Sequence, residues 1–158
     1  MHQNHVSPAE TKSTDSTDRI SEPNCAGRVA VGDIKMYYQV HGQGEPMLMI
    51  MGLGGHCLDW GWVLPQRLAD RYKVILFDNR GAGRSDQIGH CSIEQMARDT
   101  VGLMDALDID RANVFGGSMG GMIALQLALD HPERVSETAA AHPRSRAAGH
   151  PRRRRMKT

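Results

Sequence analysis

The sequence predicts an α/β protein built around a mostly parallel sheet. Short apolar runs alternate along the chain with stretches whose apolar residues recur at helical spacing, and this alternation is typical of βα units. The runs at 46–51 and 72–78 are largely apolar, which suits parallel strands buried on both faces of a sheet. A glycine-rich segment follows each of them, so loops are expected at the same edge of the sheet.

The first strands are predicted to be antiparallel. Residues 28–42 form two β-type runs broken by Gly32-Asp33, with β-branched and aromatic residues on either side, which indicates a hairpin. Residues 59–71 have helical spacing, although Pro65 limits where that helix can begin.

A second helix is predicted after Ser92, which has Gln95 three residues later as in a helix N-cap. The short run at 113–117 reads as another buried strand. Residues 119–129 are good helix sequence that ends before Pro132.

Composition predicts one domain with an arm. The chain has 158 residues and a net charge of +1, so neither nucleic acid nor an acidic surface is an expected partner. Residues 1–27 are polar and lack the features of a signal peptide, and we expect a disordered arm there. No run is long and apolar enough to span a membrane. Three scattered cysteines argue for a reducing compartment, by default the cytoplasm.

Residues 116–120, GGSMG, fit the pattern G-x-S-x-G between a strand and a helix. Such a turn is sharp and strained, and glycines at Gly116 and Gly120 let the strand and the helix approach each other. The pattern predicts Ser118 as a nucleophile presented at the start of a helix, whose free N–H groups favour negative charge. The alternative is a glycine-rich turn that merely buries a serine.

Residues 51–55, MGLGG, follow the first buried strand. A hydrolase acting through such a serine needs a backbone N–H directed at the carbonyl oxygen under attack. Leu53 is the candidate donor, paired with the N–H of Met119. The alternative is that these glycines only make a tight turn from strand to helix.

A third motif, FDNRGAGRSD at 77–86, completes a series. The order of MGLGG, DNRGAGRSD and GGSMGGMIALQLALDHPERV resembles the N-terminal half of the α/β-hydrolase superfamily, over residues 28–135. The resemblance implies that family's mostly parallel sheet, truncated after the helix that follows Ser118, with 78–85 in a structural role. It implies a small acyl substrate, no metal and no organic cofactor. A nucleotide-binding alternative is poor, because Cys57 and Asp86 stand where a third glycine would fall in G-x-G-x-x-G.

The partners that a serine nucleophile needs are not identified. In the family they follow the serine as an acid and then a histidine. The acids after Ser118 are Asp130, Glu133 and Glu137, and the histidines are His131, His142 and His150. Asp130 would lie about 17 Å down the helix, at roughly 1.5 Å per residue. His56 lies near the glycine-rich loop, but nothing in the sequence places it on Ser118.

Residues 136–158 contain Ala, Arg, Pro and His but no Val, Ile, Leu or aromatic residue. We expect a disordered tail without a strand, and hypothesise that a frameshift near residue 136 ended a longer hydrolase early. A basic tail that binds an acidic partner is the alternative. Without a following strand, the strand leading to Ser118 would be an apolar edge, exposed to self-association.

The expected function is therefore hydrolysis of an ester or similar small acyl substrate through Ser118, lost or much weakened in this chain. Whether the chain is an enzyme stays open at this stage. The alternative is a non-catalytic remnant that acts through association with another chain. Carboxylesterases, lactonases, carbon–carbon bond hydrolases and cofactor-free peroxidases share this part of the family and are not separated by it.

Overall fold

The computed structural model describes residues 22–141 except Ile88 and His90. The strands are β1 Cys25–Val31, β2 Ile34–His41, β3 Glu45–Ile50, β4 Tyr72–Phe77, β5 Ala112–Gly117 and β6 Val135–Ala141. The helices are α1 Val63–Ala69, α2 Ile93–Ala106 and α3 Met119–Asp130, with short 3₁₀ helices at Cys57–Trp60 and Pro132–Arg134.

The six strands form one sheet in the order β1-β2-β4-β3-β5-β6. β1 and β2 are an antiparallel hairpin whose turn contains Gly32 at a φ of 56°, and β2 is also antiparallel to β4. β4, β3, β5 and β6 run parallel, which confirms the predicted fold class. The carboxyl ends of β3, β4 and β5 therefore meet at one edge, where the three glycine-rich segments follow them.

Both faces of the central strands are buried, as the apolar runs predict. Alternate residues of β3 and β4 enter two cores. Leu48, Ile50, Ile75 and Phe77 pack under α2 and α3, and Met49, Val74 and Leu76 pack under α1 and the 3₁₀ helix. This alternation of side chains between the two faces is the geometry of a strand that is covered on both sides.

The starts of α2 and α1 are explained by a capping side chain and by the position of a proline. Ser92 Oγ accepts the N–H of Gln95 at 3.2 Å and so caps α2. Pro65 lies in the first turn of α1, where the N–H that proline lacks would have no partner within the helix. No helix in the part of the chain that the structure describes is long and apolar enough to cross a membrane.

The predicted arm at 1–27 is wrong at its last residues. Cys25–Gly27 belong to β1 and pair with Val40–Tyr38 of β2. The pairing between β1 and β2 continues through residues 25–27, beyond the apolar residues from which the sequence predicts the strand. These residues are therefore strand although their own composition does not indicate one. Residues 1–21 lie outside the described residues.

The predicted tail is also wrong at its beginning. Ser136–Ala141 form most of β6, which pairs with β5, so β5 is not an edge strand, and β6 is the last strand of the sheet among the described residues. The side chains of 136–141 are exposed, and the strand is specified by backbone pairing to β5, which composition does not reveal. Residues 142–158 lie outside the described residues.

Leu127 of α3 is completely buried, whereas Leu58 is 46% exposed. We expect Leu127→Ala to lower the free energy of unfolding by about 2–5 kcal/mol, because it loses buried apolar area and leaves a cavity. Leu58→Ala should change it by no more than about 0.5 kcal/mol. Urea denaturation of both variants measures this, and equal losses would contradict the described core.

Candidate active site

Ser118 occupies a strained turn between β5 and α3. Its φ is 53° and its ψ is −119°, a left-handed conformation that costs free energy in any residue with a side chain. A Cβ at Gly116 would lie 2.2 Å from the carbonyl oxygen of Gly120, and one at Gly120 only 1.9 Å from that of Ile50. Only glycine fits at these positions, and Ser118 itself is exposed.

The loop at 51–55 lies directly against this turn. A Cβ at Gly52 would be 3.1 Å from the Cβ of Ser118 and 3.7 Å from the backbone nitrogen of Met119. Met119 is the first residue of α3, so its N–H has no acceptor within the helix. Leu53, the other predicted donor, follows Gly52 in the exposed part of the loop. The structure thus places the backbones of Leu53 and Met119 at the same edge of the sheet as Ser118, where the parallel strands end.

Asn79 holds this loop, a role that sequence reasoning missed. Its side-chain amide donates to the carbonyl of Met51 at 2.9 Å, at the point where β3 ends and the loop begins. A polar residue after a buried strand was the available signal, but its partner lies 28 residues earlier in the chain.

Asp78 ties the 3₁₀ helix and the loop after β4 together. One carboxylate oxygen accepts the N–H of Cys57 at 2.6 Å, and the other accepts the N–H of Arg84 at 2.8 Å. Ser85 Oγ donates to the carbonyl of Asp78 and accepts the N–H of Tyr37. Because both oxygens of Asp78 bond to backbone, its role is structural, as the family resemblance implies.

Arg80 is buried between two carboxylates. It contacts Asp99 at 2.7 and 2.8 Å and Asp33 at 2.7 Å. Hydrogen bonding to Asp99 and then to Asp33 raises the pKa of Arg80, and Arg80 in turn holds the pKa of Asp33 below its usual value. This network anchors the loop to α2 and to the β1–β2 turn.

Trp60 packs beside the turn at Ser118 and was not identified as a site residue from the sequence. Its ring centroid is 5.3 Å from that of Phe115, and a Cβ at Gly117 would approach the Trp60 ring to 2.9 Å. The indole Nε1 is buried and has no hydrogen-bond partner among the described residues. The indole therefore leaves no room for a side chain at Gly117, the second glycine of GGSMG.

His56 and His41, which precede the serine, are engaged elsewhere. His56 Nδ1 accepts the N–H of Leu58, and its Nε2 lies 3.5 Å from Asp59. His41 is on β2, where it contacts Gln39 at 3.2 Å and lines a cavity of about 200 Å³. Burial lowers the pKa of His41, which favours a neutral ring at pH 7.

The acids after Ser118 lie far from it. Asp130 is the last residue of α3, about 17 Å away by helix rise, and His131 pairs with Glu133 at 3.7 Å beyond that end. Glu137 is four residues before Ala141, which is the neighbour of Gly117, so it lies about 13 Å down the strand. His142 and His150 are outside the described residues. No three His, Cys, Asp or Glu side chains come together as a metal site anywhere in the described ranges.

A strained serine between a parallel strand and a helix, faced by a glycine-rich loop, defines a hydrolase-type nucleophile elbow. The chain belongs to the α/β-hydrolase superfamily, since the model of the alpha/beta hydrolase fold matches residues 45–153. That match continues past residue 135, where the sequence resemblance was expected to stop.

Relatives support the same family. The chain is 42% identical over 123 residues to the "Putative carbamate hydrolase RutD" of Azorhizobium caulinodans, covering 77% of this chain and 46% of that protein. Est816, described as an N-acyl homoserine lactone degrading enzyme, is 38% identical with a TM-score of 0.68, over 72% of this chain and 44% of its own.

A further solved structure, the meta-cleavage product hydrolase CumD of Pseudomonas fluorescens IP01, is 29% identical with a TM-score of 0.66, over 71% of this chain and 43% of its own. The chain thus spans about half the length of the relatives it matches.

The Arg80–Asp99 pair is 5% and 4% exposed, whereas the Arg28–Asp86 pair is 42% and 41% exposed. We expect Arg80→Met to lower the free energy of unfolding by about 3–5 kcal/mol, because it leaves the buried carboxylate of Asp99 without its charged partner. Arg28→Met should cost less than about 1 kcal/mol. Urea denaturation at pH 7 compares them, and a loss for Arg80→Met as small as that for Arg28→Met would show that the loop does not depend on Arg80.

Burial, with the neighbouring Asp78, raises the pKa of the Cys57 thiol to about 12, while Cys25 is exposed. Because the thiolate is the reactive form, iodoacetamide at pH 8 should alkylate Cys25 in the native protein well before Cys57. Mass spectrometry of digested samples measures the order. In urea both cysteines should react, and equal rates in the native state would contradict the described burial.

Proposed function

We propose that Ser118 is the nucleophile of an acyl-transfer reaction on an ester or similar small acyl substrate. The observation that carries this proposal is the elbow itself. An exposed serine is held at a φ of 53°, and Gly52 lies so near that a Cβ at that position would be 3.1 Å from the Cβ of Ser118. A free-standing turn would relax from that conformation, so the surrounding glycine contacts keep the hydroxyl at the sheet edge.

In this proposal Ser118 Oγ attacks the substrate carbonyl carbon. The carbonyl oxygen gains negative charge, which the N–H groups of Met119 and Leu53 would stabilise together with the N-terminus of α3. The alcohol leaves when the tetrahedral intermediate collapses, and water then releases the acid from the acyl-serine. The attack requires a base to take the serine proton, and that proton must pass to the alkoxide as it leaves as the alcohol.

We further propose that turnover by this chain is lost or much weakened. No acid or histidine that follows Ser118 within residues 119–141 lies near it. Removal of triad members from other serine hydrolases leaves roughly 10³–10⁴-fold acceleration over water, from the oxyanion hole and binding alone. We expect the rate acceleration by this chain to be no greater than that residual level.

The relatives leave the substrate open. Their names refer to a carbamate hydrolase, an N-acyl homoserine lactone degrading enzyme and a meta-cleavage product hydrolase. We propose an activated small ester as the first substrate to try, because a good leaving group makes the least demand on a general acid, and none lies near Ser118 within residues 119–141.

The alternative function is a non-catalytic remnant that acts through association. The observation that favours it is exposed apolar surface on α3, where Met122, Leu125 and Leu129 are 55%, 58% and 68% exposed. This surface does not depend on the chemistry of Ser118, and it can be tested separately.

A fluorophosphonate probe tests the nucleophile. We expect slow labelling of the native chain at Ser118, none of Ser118→Ala, and unchanged labelling of Ser136→Ala, which alters an exposed serine on β6. Peptide mapping locates the adduct, and urea-unfolded protein should lose the reaction. Equal labelling of the native chain and Ser118→Ala would refute the proposed nucleophile. Hydrolysis of p-nitrophenyl acetate well above the residual range would refute the proposed loss of activity.

A further inference from the structure

Met51 is the residue at which the chain leaves the sheet after β3. The last residue of β3 that pairs with β4 is Met49, and the last that pairs with β5 is Ile50. The direction of the chain beyond Met51 is therefore not set by strand pairing. The side-chain amide of Asn79 holds it, because that amide donates to the carbonyl of Met51 at 2.9 Å.

The loop that follows Met51 is a closed turn. The N–H of Gly55 donates to the carbonyl of Gly52 at 3.2 Å, and Gly54 has a φ of 70°, as the third residue of a type II turn has. The closing hydrogen bond of such a turn does not involve its two central N–H groups. The N–H of Leu53, the proposed oxyanion donor, therefore points in a direction that the orientation of the whole turn decides.

Asn79 lies in a part of the site that is firmly fixed. It is 3% exposed, and its own carbonyl accepts the N–H of Ala82 at 3.0 Å. The preceding residue, Asp78, bonds to two backbone N–H groups, and the following residue, Arg80, lies between two carboxylates. The amide of Asn79 is therefore a donor whose position does not depend on the loop at 51–55.

Contacts on the other side of β3 limit how close the loop comes to Ser118. β3 lies between β4 and β5 in the sheet, so Asn79 holds Met51 from the side of β4. On the side of β5, a Cβ at Gly120 would lie 3.0 Å from the carbonyl oxygen of Met51, and one at Gly52 would lie 3.1 Å from the Cβ of Ser118. Close contacts of this kind exclude a nearer approach, but only a hydrogen bond fixes both the distance and the direction of the carbonyl.

We propose that Asn79 is a positioning residue, which directs the N–H of Leu53 at the substrate oxygen that becomes negative when Ser118 attacks. It acts through the carbonyl of Met51 and touches no reacting atom. The inference rests on the proposed function, because it concerns the support of one oxyanion donor. Such a donor is effective at about 2.7–3.1 Å from the oxyanion, and a misplacement of about 1 Å costs roughly 100-fold in rate.

Two substitutions test this role. Asn79→Leu and Asn79→Asp keep the approximate size of the side chain but remove its N–H donor. We expect either to lower the maximal rate of fluorophosphonate labelling of Ser118 by about 10–100-fold, because the phosphonyl oxygen takes the place of the oxyanion. The probe concentration that gives half of that rate should change by less than about twofold, since the donor acts on charge that develops during the reaction.

Two control variants separate positioning from loss of stability. Asn24 also donates its amide to a backbone carbonyl, that of Gly42 at 3.2 Å, but at the end of the sheet opposite to Ser118. Asn24→Leu should therefore be labelled at the wild-type rate. Leu103 of α2 is completely buried, so Leu103→Ala should lower the free energy of unfolding without lowering the labelling rate of the folded chain.

The order of the Leu53 N–H can be measured without any reaction. In backbone NMR relaxation of the wild-type chain we expect an order parameter near that of rigid backbone, about 0.85, and a value below about 0.6 in both Asn79 variants. Asn24→Leu should keep the wild-type value. Urea denaturation identifies the variants that remain folded under the conditions of both measurements.

A Leu53 N–H that stays ordered in the Asn79 variants would overturn the proposal, and so would wild-type labelling rates in them. A loss of labelling in Leu103→Ala as large as theirs would also overturn it, because the effect would then follow stability. Absence of labelling in the wild type would refute the proposed nucleophile, while the relaxation measurement would still decide whether Asn79 positions Leu53.

Discussion

The contact on which the site depends is the approach of the first turn of α3 to the end of β3. Gly120 lies so close to the carbonyl of Ile50 that a Cβ would be 1.9 Å from its oxygen. This approach brings Ser118 beside the loop that follows β3, and it requires the left-handed conformation of the serine. The strain at Ser118 is therefore offset by packing of the sheet and helix around it.

The loop after β4 supports that geometry from the other side. Arg80 joins it to α2 and the first hairpin turn, while Asp78 joins it to the 3₁₀ helix at Cys57–Trp60. That helix carries Trp60, whose ring packs on Gly117. Charge pairs, backbone hydrogen bonds and one indole thus hold the three glycine-rich segments in a common arrangement. Loss of Arg80 would therefore disturb the position of Ser118 through these contacts.

Much of the site was predictable because its causes are local. The turn at Ser118 needs small neighbours at fixed offsets, so GGSMG identifies it wherever a strand precedes and a helix follows. The positions of Asn79 and Trp60 were not predictable, because their partners, Met51 and Gly117, are distant in sequence. β6 was missed for a related reason, since its alanine-rich residues become a strand only through the ladder to β5.

The sequence by itself determined the class of fold, the order of its elements from the hairpin to α3 and the identity of the elbow, because periodicity and turn chemistry act over a few residues. Only the tertiary structure decided that β6 pairs with β5, that Gly52 lies beside Ser118, and that Leu125 and Leu129 of α3 are exposed. Those features depend on which strands are neighbours, and strand order is set by packing of the whole sheet.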